Sequence, residues 1–390
     1  MADTQRITVG IPAYKAQNTI LRTLCSIALQ NIVEDLDVVI CNDADGIGYQ
    51  KYIDMFSPYM SIKEITLDKN VGPGSARQAI LDSCENPLIT FIDADDTFSG
   101  GFALKTLRMQ LLAEPYNACC WGNFLEEQID PNSGMCNYLM HPPGVWMFGE
   151  LFKREFLTKY NIRFLDGSRS NEDSGFNMKC RLCSNQFEQI KQIQDIIYYW
   201  HWKENSITRF DNANYSYNRS FQGITRNWID AIKHAEKKCP FNGQILQQKV
   251  MCMINLYEYW IETIKRDNRY EKQNWNCCRR FYAEIYREIK DKINDEIFSQ
   301  IYNEVMRNCY MGNKLIGIIP PIGIQEFMDK LEKEYDPNET EFDMTDDTYP
   351  YESNKALDEK FKKEGLDEKF KSETKSKKKS DWEPYPNFNI

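Results

Sequence analysis

The sequence predicts an α/β protein: a largely parallel sheet flanked by helices, then a helical region and a charged tail. Three observations carry that expectation. Short apolar runs alternate with amphipathic stretches through the first hundred residues, as in successive βα units. These runs end in acidic or glycine-bearing turns, so the chemically capable residues gather at the carboxyl ends of the strands, where open α/β sheets bind ligands. With 390 residues, 42% hydrophobic and 13% aromatic, the chain can bury a sizeable core, in two domains.

The first run, Ile7-Thr8-Val9-Gly10-Ile11-Pro12-Ala13-Tyr14, reads as a strand. Met1 to Arg6 leads straight into it, which predicts no signal peptide. From Asn18 to Gln30, the residues Ile20, Leu21, Leu24, Ile27 and Ala28 fall near one helical face. Residues 37–41 read as a buried strand ending in Asn42-Asp43-Ala44-Asp45, and residues 62–67 as another. Asn70-Val71-Gly72-Pro73-Gly74-Ser75-Ala76-Arg77 then precedes an apolar, helix-like stretch. Residues 88–92 form the strand that runs into Asp93-Ala94-Asp95-Asp96. Carboxylates one residue apart at a strand end can hold a hard divalent cation against a diphosphate. An isolated acidic turn is more often a solvated loop, so its neighbours must decide between the two readings.

The segment from Phe210 to Lys333 is helical and aromatic-rich, with amphipathic spacing that suits a domain packed on the core rather than a membrane surface. From residue 334 onward the chain turns acidic, repeats Leu-Asp-Glu-Lys-Phe-Lys at 357–362 and 366–371, and then carries a lysine-rich run at 375–379, which predicts a flexible tail. The expected division is therefore 1–209, 210–333 and 334–390. No apolar run reaches the ~20 residues a membrane span requires. The thirteen cysteines are scattered and include the adjacent pairs Cys119-Cys120 and Cys277-Cys278, a pattern that suits a reducing cytoplasm better than a disulfide ladder. Cys180 and Cys183 have metal-type spacing without a matching second pair, so two thiols on a helix face are expected. Gly72-Pro73-Gly74 lacks the lysine of a phosphate-binding loop. A net charge of −10 argues against a broad nucleic-acid surface.

In this order, the P-x-Y strand end, the Asn42-Asp43-Ala44-Asp45 turn, the Gly-Pro-Gly loop with Arg77 and the Asp93-Ala94-Asp95-Asp96 turn resemble the family-2 glycosyltransferases of the GT-A fold. The resemblance continues through Gly149 to Leu157, Asn171-Glu172-Asp173 and Tyr198 to Thr208, so it covers about the first 210 residues. It implies an enzyme that binds a nucleotide-sugar donor, neutralises its diphosphate and removes a proton from an acceptor hydroxyl, inverting the anomeric centre. Pro12, Tyr14 and Asp43 would hold the base, with the donor UDP-linked. Arg77, Asp93 and Ala94 would approach the base, ribose or phosphates. Asp95 and Asp93 would bind Mn²⁺ or Mg²⁺, with His201 as a third ligand, and Asp96 would support them or contact the sugar. Asp173 would act as the base and Glu172 would orient it; the residue-level alternative is an acidic cluster at a helix N-terminus. For Pro12 and Tyr14 the alternative is strand-end packing, for Arg77 a surface helix residue, and for His201 packing or a phosphate hydrogen-bond donor.

Two departures from the family pattern stand out. Ala44 replaces the glycine of the D-D-G-S turn, and Glu150 stands where many relatives carry lysine. The acceptor is the least constrained partner. A carbohydrate is favoured, and hydroxymethylated DNA is the alternative, its basic face drawn from the tail lysines with Arg209, Arg219 and Arg226. A reading of another class is a nucleotide-sugar binding or assembly subunit without turnover.

Overall fold

The computed structural model describes residues 5–130, 133–144, 146–168, 170–203, 213–265, 276–291 and 322–333. Its first element, β1 (Ile7–Ala13), pairs in parallel with β2 (Leu36–Asn42) on one side and β4 (Leu88–Phe91) on the other, while β3 (Ser61–Thr66) extends the sheet beyond β2. β1, β2 and β4 are buried along nearly their whole length, as parallel strands covered on both faces must be. The edge strand β3 alternates between exposed and half-buried positions.

Helices α1 (Ile20–Ala28), α2 (Gln50–Phe56), α3 (Pro73–Ser83) and α4 (Ala103–Leu112) lie among these strands in the chain. α1 buries Ile20, Thr23, Leu24 and Ile27. Leu21, placed on that face by the sequence pattern, is exposed, because one residue of helix turns it ~100° from Ile20. α3 begins with Pro73, whose missing N–H costs nothing in a first turn, after Gly72 at a φ of 90° that disfavours any side chain.

Past the acidic turn the sheet becomes mixed. β5 (Thr97–Phe98), β6 (Asn117–Ile129), β7 (Cys136–His141), β8 (Glu150–Lys153) and β9 (Gln189–Trp200) complete nine strands in the order β3-β2-β1-β4-β8-β6-β9-β5, with β7 on β6. β8 runs against both β4 and β6, whereas β6 and β9 are parallel, so six strands share one direction and β5, β7 and β8 oppose it. Helices α5 (Arg154–Tyr160) and α6 (Glu172–Cys183) connect β8 to β9. Cys119, Cys180 and Cys183 are buried free thiols.

Helices α7 (Ala213–Lys238), α8 (Gln244–Lys265), α9 (Asn276–Ile289) and α10 (Ile324–Lys333) follow. The chain divides into two compact units, residues 1–209 with 226–242 and residues 210–225 with 243–390. In the second unit α8, α9 and α10 pack together through Tyr257 and Phe327, whose rings lie 5.5 Å apart, and the Tyr286 hydroxyl donates to Asp329 at 2.8 Å. No described helix is long and apolar enough to cross a membrane. The tail expected at 334–390 lies outside the described residues.

Candidate active site

The turn after β4 projects its carboxylates in different directions, and their partners decide what each can do. Asp96 is 1% exposed; it accepts from the Tyr198 hydroxyl at 2.7 Å and from the His201 backbone N–H at 2.8 Å. Burial, followed by the charges of Asp95 and Asp93, pushes its carboxyl well above the usual range. Asp96 therefore braces the turn from within. Ala94 is buried in the core, so only its backbone could meet a ligand. Asp93 and Asp95 remain partly exposed. Lys203 donates to Asp95 Oδ2 at 2.8 Å, and Arg22 donates to the Asp95 carbonyl.

Arg77 joins this turn to the next segment of the site. α3 carries it inward, 5% exposed, where Nη2 donates to Asp93 Oδ1 at 2.5 Å and Nη1 to Glu172 Oε1 at 2.6 Å. Burial opposes its charge, but the Asp93 and Glu172 carboxylates hold the guanidinium above its ordinary pKa. The sequence suggested Arg77 as a base or phosphate contact; in the structure its fork binds two carboxylates and ties Asp93 to the start of α6. Gly74 permits the approach, since a Cβ there would lie 2.9 Å from Glu172 Cγ.

Glu172 and Asp173 occupy the first turn of α6, after Asn171 in the left-handed conformation at φ 56°. The positive end of the helix dipole favours both carboxylates, and the Ser174 N–H donates to Asp173 at 2.7 Å. Burial and then the Glu172 charge nevertheless raise Asp173 to about 7, against the opposing pull of Arg77. A carboxylate tuned there can exchange a proton near neutral pH. The loop below is fixed by Asn227, which donates to the Ser168 hydroxyl at 2.9 Å, and by Trp228, whose indole N–H reaches the Ser174 hydroxyl at 3.3 Å.

At the ends of β1 and β2, Tyr14 is 47% exposed and free to stack, with the Lys15 ammonium 5.1 Å from its ring centre; Pro12 is half-buried beside it. Asp43 is buried. Its Oδ1 accepts from the Val71 N–H at 2.7 Å, and its Oδ2 from the Gly72 N–H at 2.8 Å and the Asn70 amide at 2.9 Å. It thereby fastens the glycine loop to β2. Ala44 adopts φ 57°, the conformation that favours the glycine it replaces. Asp45 holds the strained turn by accepting from the Ile47 and Gly48 N–H groups at 2.8 and 3.1 Å.

His201 lies at the end of β9 with both ring nitrogens engaged, Nδ1 with Glu127 at 3.0 Å and Nε2 with the Thr97 hydroxyl at 2.8 Å. Burial lowers its pKa, against the raising effect of Glu127. Service as a metal ligand would require Nε2 to leave Thr97. Among the described residues no three His, Cys, Asp or Glu side chains gather as a metal site. The carboxylates still suit Mg²⁺ or Mn²⁺, which take oxygen donors and are commonly held by one or two carboxylates together with substrate phosphates. The fit runs through Asp95, which opens on a cleft of about 370 Å³ lined by Asn18, Thr19, Leu21, Arg22, Trp202 and Lys203.

Sequence reasoning missed Glu127, Tyr198, Arg22 and Lys203. Tyr198 and Lys203 flank His201 in a stretch the resemblance had marked, so a signal existed for them. Glu127 meets His201 across 74 residues of chain, with no local pattern to announce it. Glu150, singled out as a departure, is buried beside Asn177, which donates to it at 2.9 Å, and burial raises its pKa well above the usual value.

Residues 8–170 match the profile of the family described as glycosyl transferase family 2. No curated protein sequence matches the chain. Among solved structures, the fold is similar to S. aureus TarS 1-349, with a TM-score of 0.54 at 16% identity over 85% of this chain and 91% of that one. For the same fragment in complex with UDP-GlcNAc the TM-score is 0.52 at 16% identity, over 85% of this chain and 91% of that one. Against the longer S. aureus TarS chain it is 0.53 at 16% identity, over 85% of this chain, which spans only 55% of that one. Residues 8–170 thus form a glycosyl transferase family 2 domain on a GT-A fold.

Proposed function

We propose that the protein is an inverting glycosyltransferase that moves a sugar from a nucleotide-sugar donor to an acceptor hydroxyl, with Asp173 as the base. The observation that carries this reading is the Arg77 bridge. It joins Asp93, at the strand end suited to a diphosphate, to Glu172, the neighbour of a carboxyl raised to about 7. Leaving group and proton acceptor are thereby held in one frame.

In the proposed reaction the acceptor oxygen attacks the anomeric carbon, the bond from that carbon to the diphosphate breaks, and Asp173 takes the acceptor proton. Tyr14 stacks on the base, and Asp43 Oδ1 retains a lone pair for a ring N–H. Asp95, with Asp93, would hold Mg²⁺ or Mn²⁺, and a bound divalent cation would offset charge developing on the departing diphosphate. Glu172 positions Asp173 through its bond to Arg77. A UDP-linked donor agrees with the UDP-GlcNAc complex of a protein of similar fold.

A carbohydrate acceptor is favoured over modified DNA. Of the three arginines considered for a basic face, Arg226 is 2% exposed and unavailable to a phosphate backbone. Arg209, the side chain of Arg219 and the tail lysines lie outside the described residues.

The test is nucleotide release from a panel of nucleotide sugars with Mn²⁺, with and without acceptors, for the native chain and Asp95→Ala. Release that is abolished by excess EDTA and by Asp95→Ala supports the reading. Full activity under both conditions removes the metal from it, and binding without any release would favour a non-catalytic subunit.

A further inference from the structure

The outer face of the β7-β6-β9-β5 portion of the sheet carries a row of rings that the proposed chemistry leaves unused. Directly opposed residues share a face, and alternate residues along a strand return to it. Glu127 pairs with Tyr138, Leu125 with both Met140 and Tyr199, and Tyr199 with Thr97. These residues therefore share one face. The opposite face, with Phe124, His141, Phe148 and Tyr198, is packed into the core. On the outer face Tyr138 is 53% exposed and Met140 is also exposed. The Tyr138 and Tyr199 rings meet edge to face at 6.0 Å, and Tyr199 stacks on His201 at 6.2 Å. The next two residues, Trp202 and Lys203, line the cleft that contains Asp95.

We propose that this row is the acceptor platform, and that the acceptor it takes is a neutral saccharide whose apolar ring faces stack along Tyr138 and Tyr199. The inference rests on the glycosyl-transfer reading and deepens it. Two features select the occupant. The row is continuous with the Asp95 cleft, so a chain lying on it would deliver its end to the reacting centre. From Met109 to Phe152 the sequence holds no lysine or arginine, while Glu126, Glu127 and Asp130 stand on or beside the hairpin. A phosphate backbone, whose binding depends on Lys and Arg, would find neither on that hairpin, where Glu126 is engaged with His141 and Glu127 with His201. Uncharged sugar rings would meet aromatic side chains with hydrogen-bonding groups between, the usual composition of a small-ligand site.

The experiment titrates the full chain, with UDP present, against an array of neutral oligosaccharides and against a hydroxymethylcytosine duplex, for the native sequence, Tyr138→Phe and Tyr138→Ala. Binding of UDP is measured alone, so failure of the donor reading is seen separately. The expected result is salt-insensitive binding of a neutral oligosaccharide, kept by Tyr138→Phe and weakened about tenfold by Tyr138→Ala. The proposal is overturned if no neutral oligosaccharide binds, or if Tyr138→Ala leaves that binding unchanged. It is equally overturned if the duplex binds with a steep salt dependence lost in Tyr138→Ala, or if the native chain self-associates and Tyr138→Ala dissociates it.

Discussion

A guanidinium buried between two carboxylates cannot lose its place without leaving charge uncompensated. Arg77→Ala strands Glu172 and the partly exposed Asp93, so a loss of about 3 kcal/mol is expected in denaturant unfolding. Arg77→Lys keeps the charge but not the fork, and should recover stability better than transfer. The second prediction at this scale concerns protons. In the proposed reaction Asp173 serves as the base only when ionised, and burial raises its pKa to about 7. The kcat/KM for transfer should therefore rise with pH through about 7 and level off above it. Stability runs the other way. The folded state keeps a proton that the unfolded chain releases near 3.8, so folding weakens as pH climbs from there to about 7. Melting temperatures of the native chain and Asp173→Asn should diverge across that window. A flat difference would mean that Asp173 titrates normally.

At the scale of elements, the contact between α3 and α6 sets the geometry of the site. Adding a methyl group at Gly74 improves helix propensity by at most ~1 kcal/mol, and less in a first turn. It also puts a Cβ 2.9 Å from Glu172 Cγ and 3.2 Å from the Ser168 carbonyl, so the two helices must part. Overpacking of this kind costs about 1–3 kcal/mol and should prevail. Gly74→Ala is expected to lower the melting temperature slightly and transfer strongly, because Glu172 is displaced from Arg77; unchanged kcat would contradict the bridging role. These elements were legible in the sequence to different degrees. β1, β2 and β4 could be read because each is a short apolar run closed by a turn with its own chemistry. β6 and β9 could not, because β6 is buried through Phe124 and half-buried beyond it, and β9 is mostly exposed with only Ile193, Ile197 and Tyr198 buried, which blurs any single period. The acidic residues were visible as a motif, but their partners come from distant chain: Arg77 meets Glu172 across 95 residues. A local pattern can place a side chain at a strand end without saying which charge will meet it there.

At the scale of the whole molecule, the compact unit that contains the site takes in residues 226–242 as well as 1–209. Asn227 and Trp228 brace the loop and helix that present Asp173. A protein cut after residue 209 should therefore melt well below one cut after residue 242, and equal melting temperatures would show that the brace contributes little. The central claim concerns the reaction of the intact chain: Asp173 removes the acceptor proton while the acceptor oxygen displaces the diphosphate from the opposite face. Its most direct test is the anomeric configuration of the product by NMR, with the transfer rate of Asp173→Asn measured alongside. The account predicts an inverted product, donor affinity kept within a few-fold, and transfer reduced by roughly two to four orders of magnitude in the variant. A product that retains configuration, or near-normal turnover by Asp173→Asn, would contradict it.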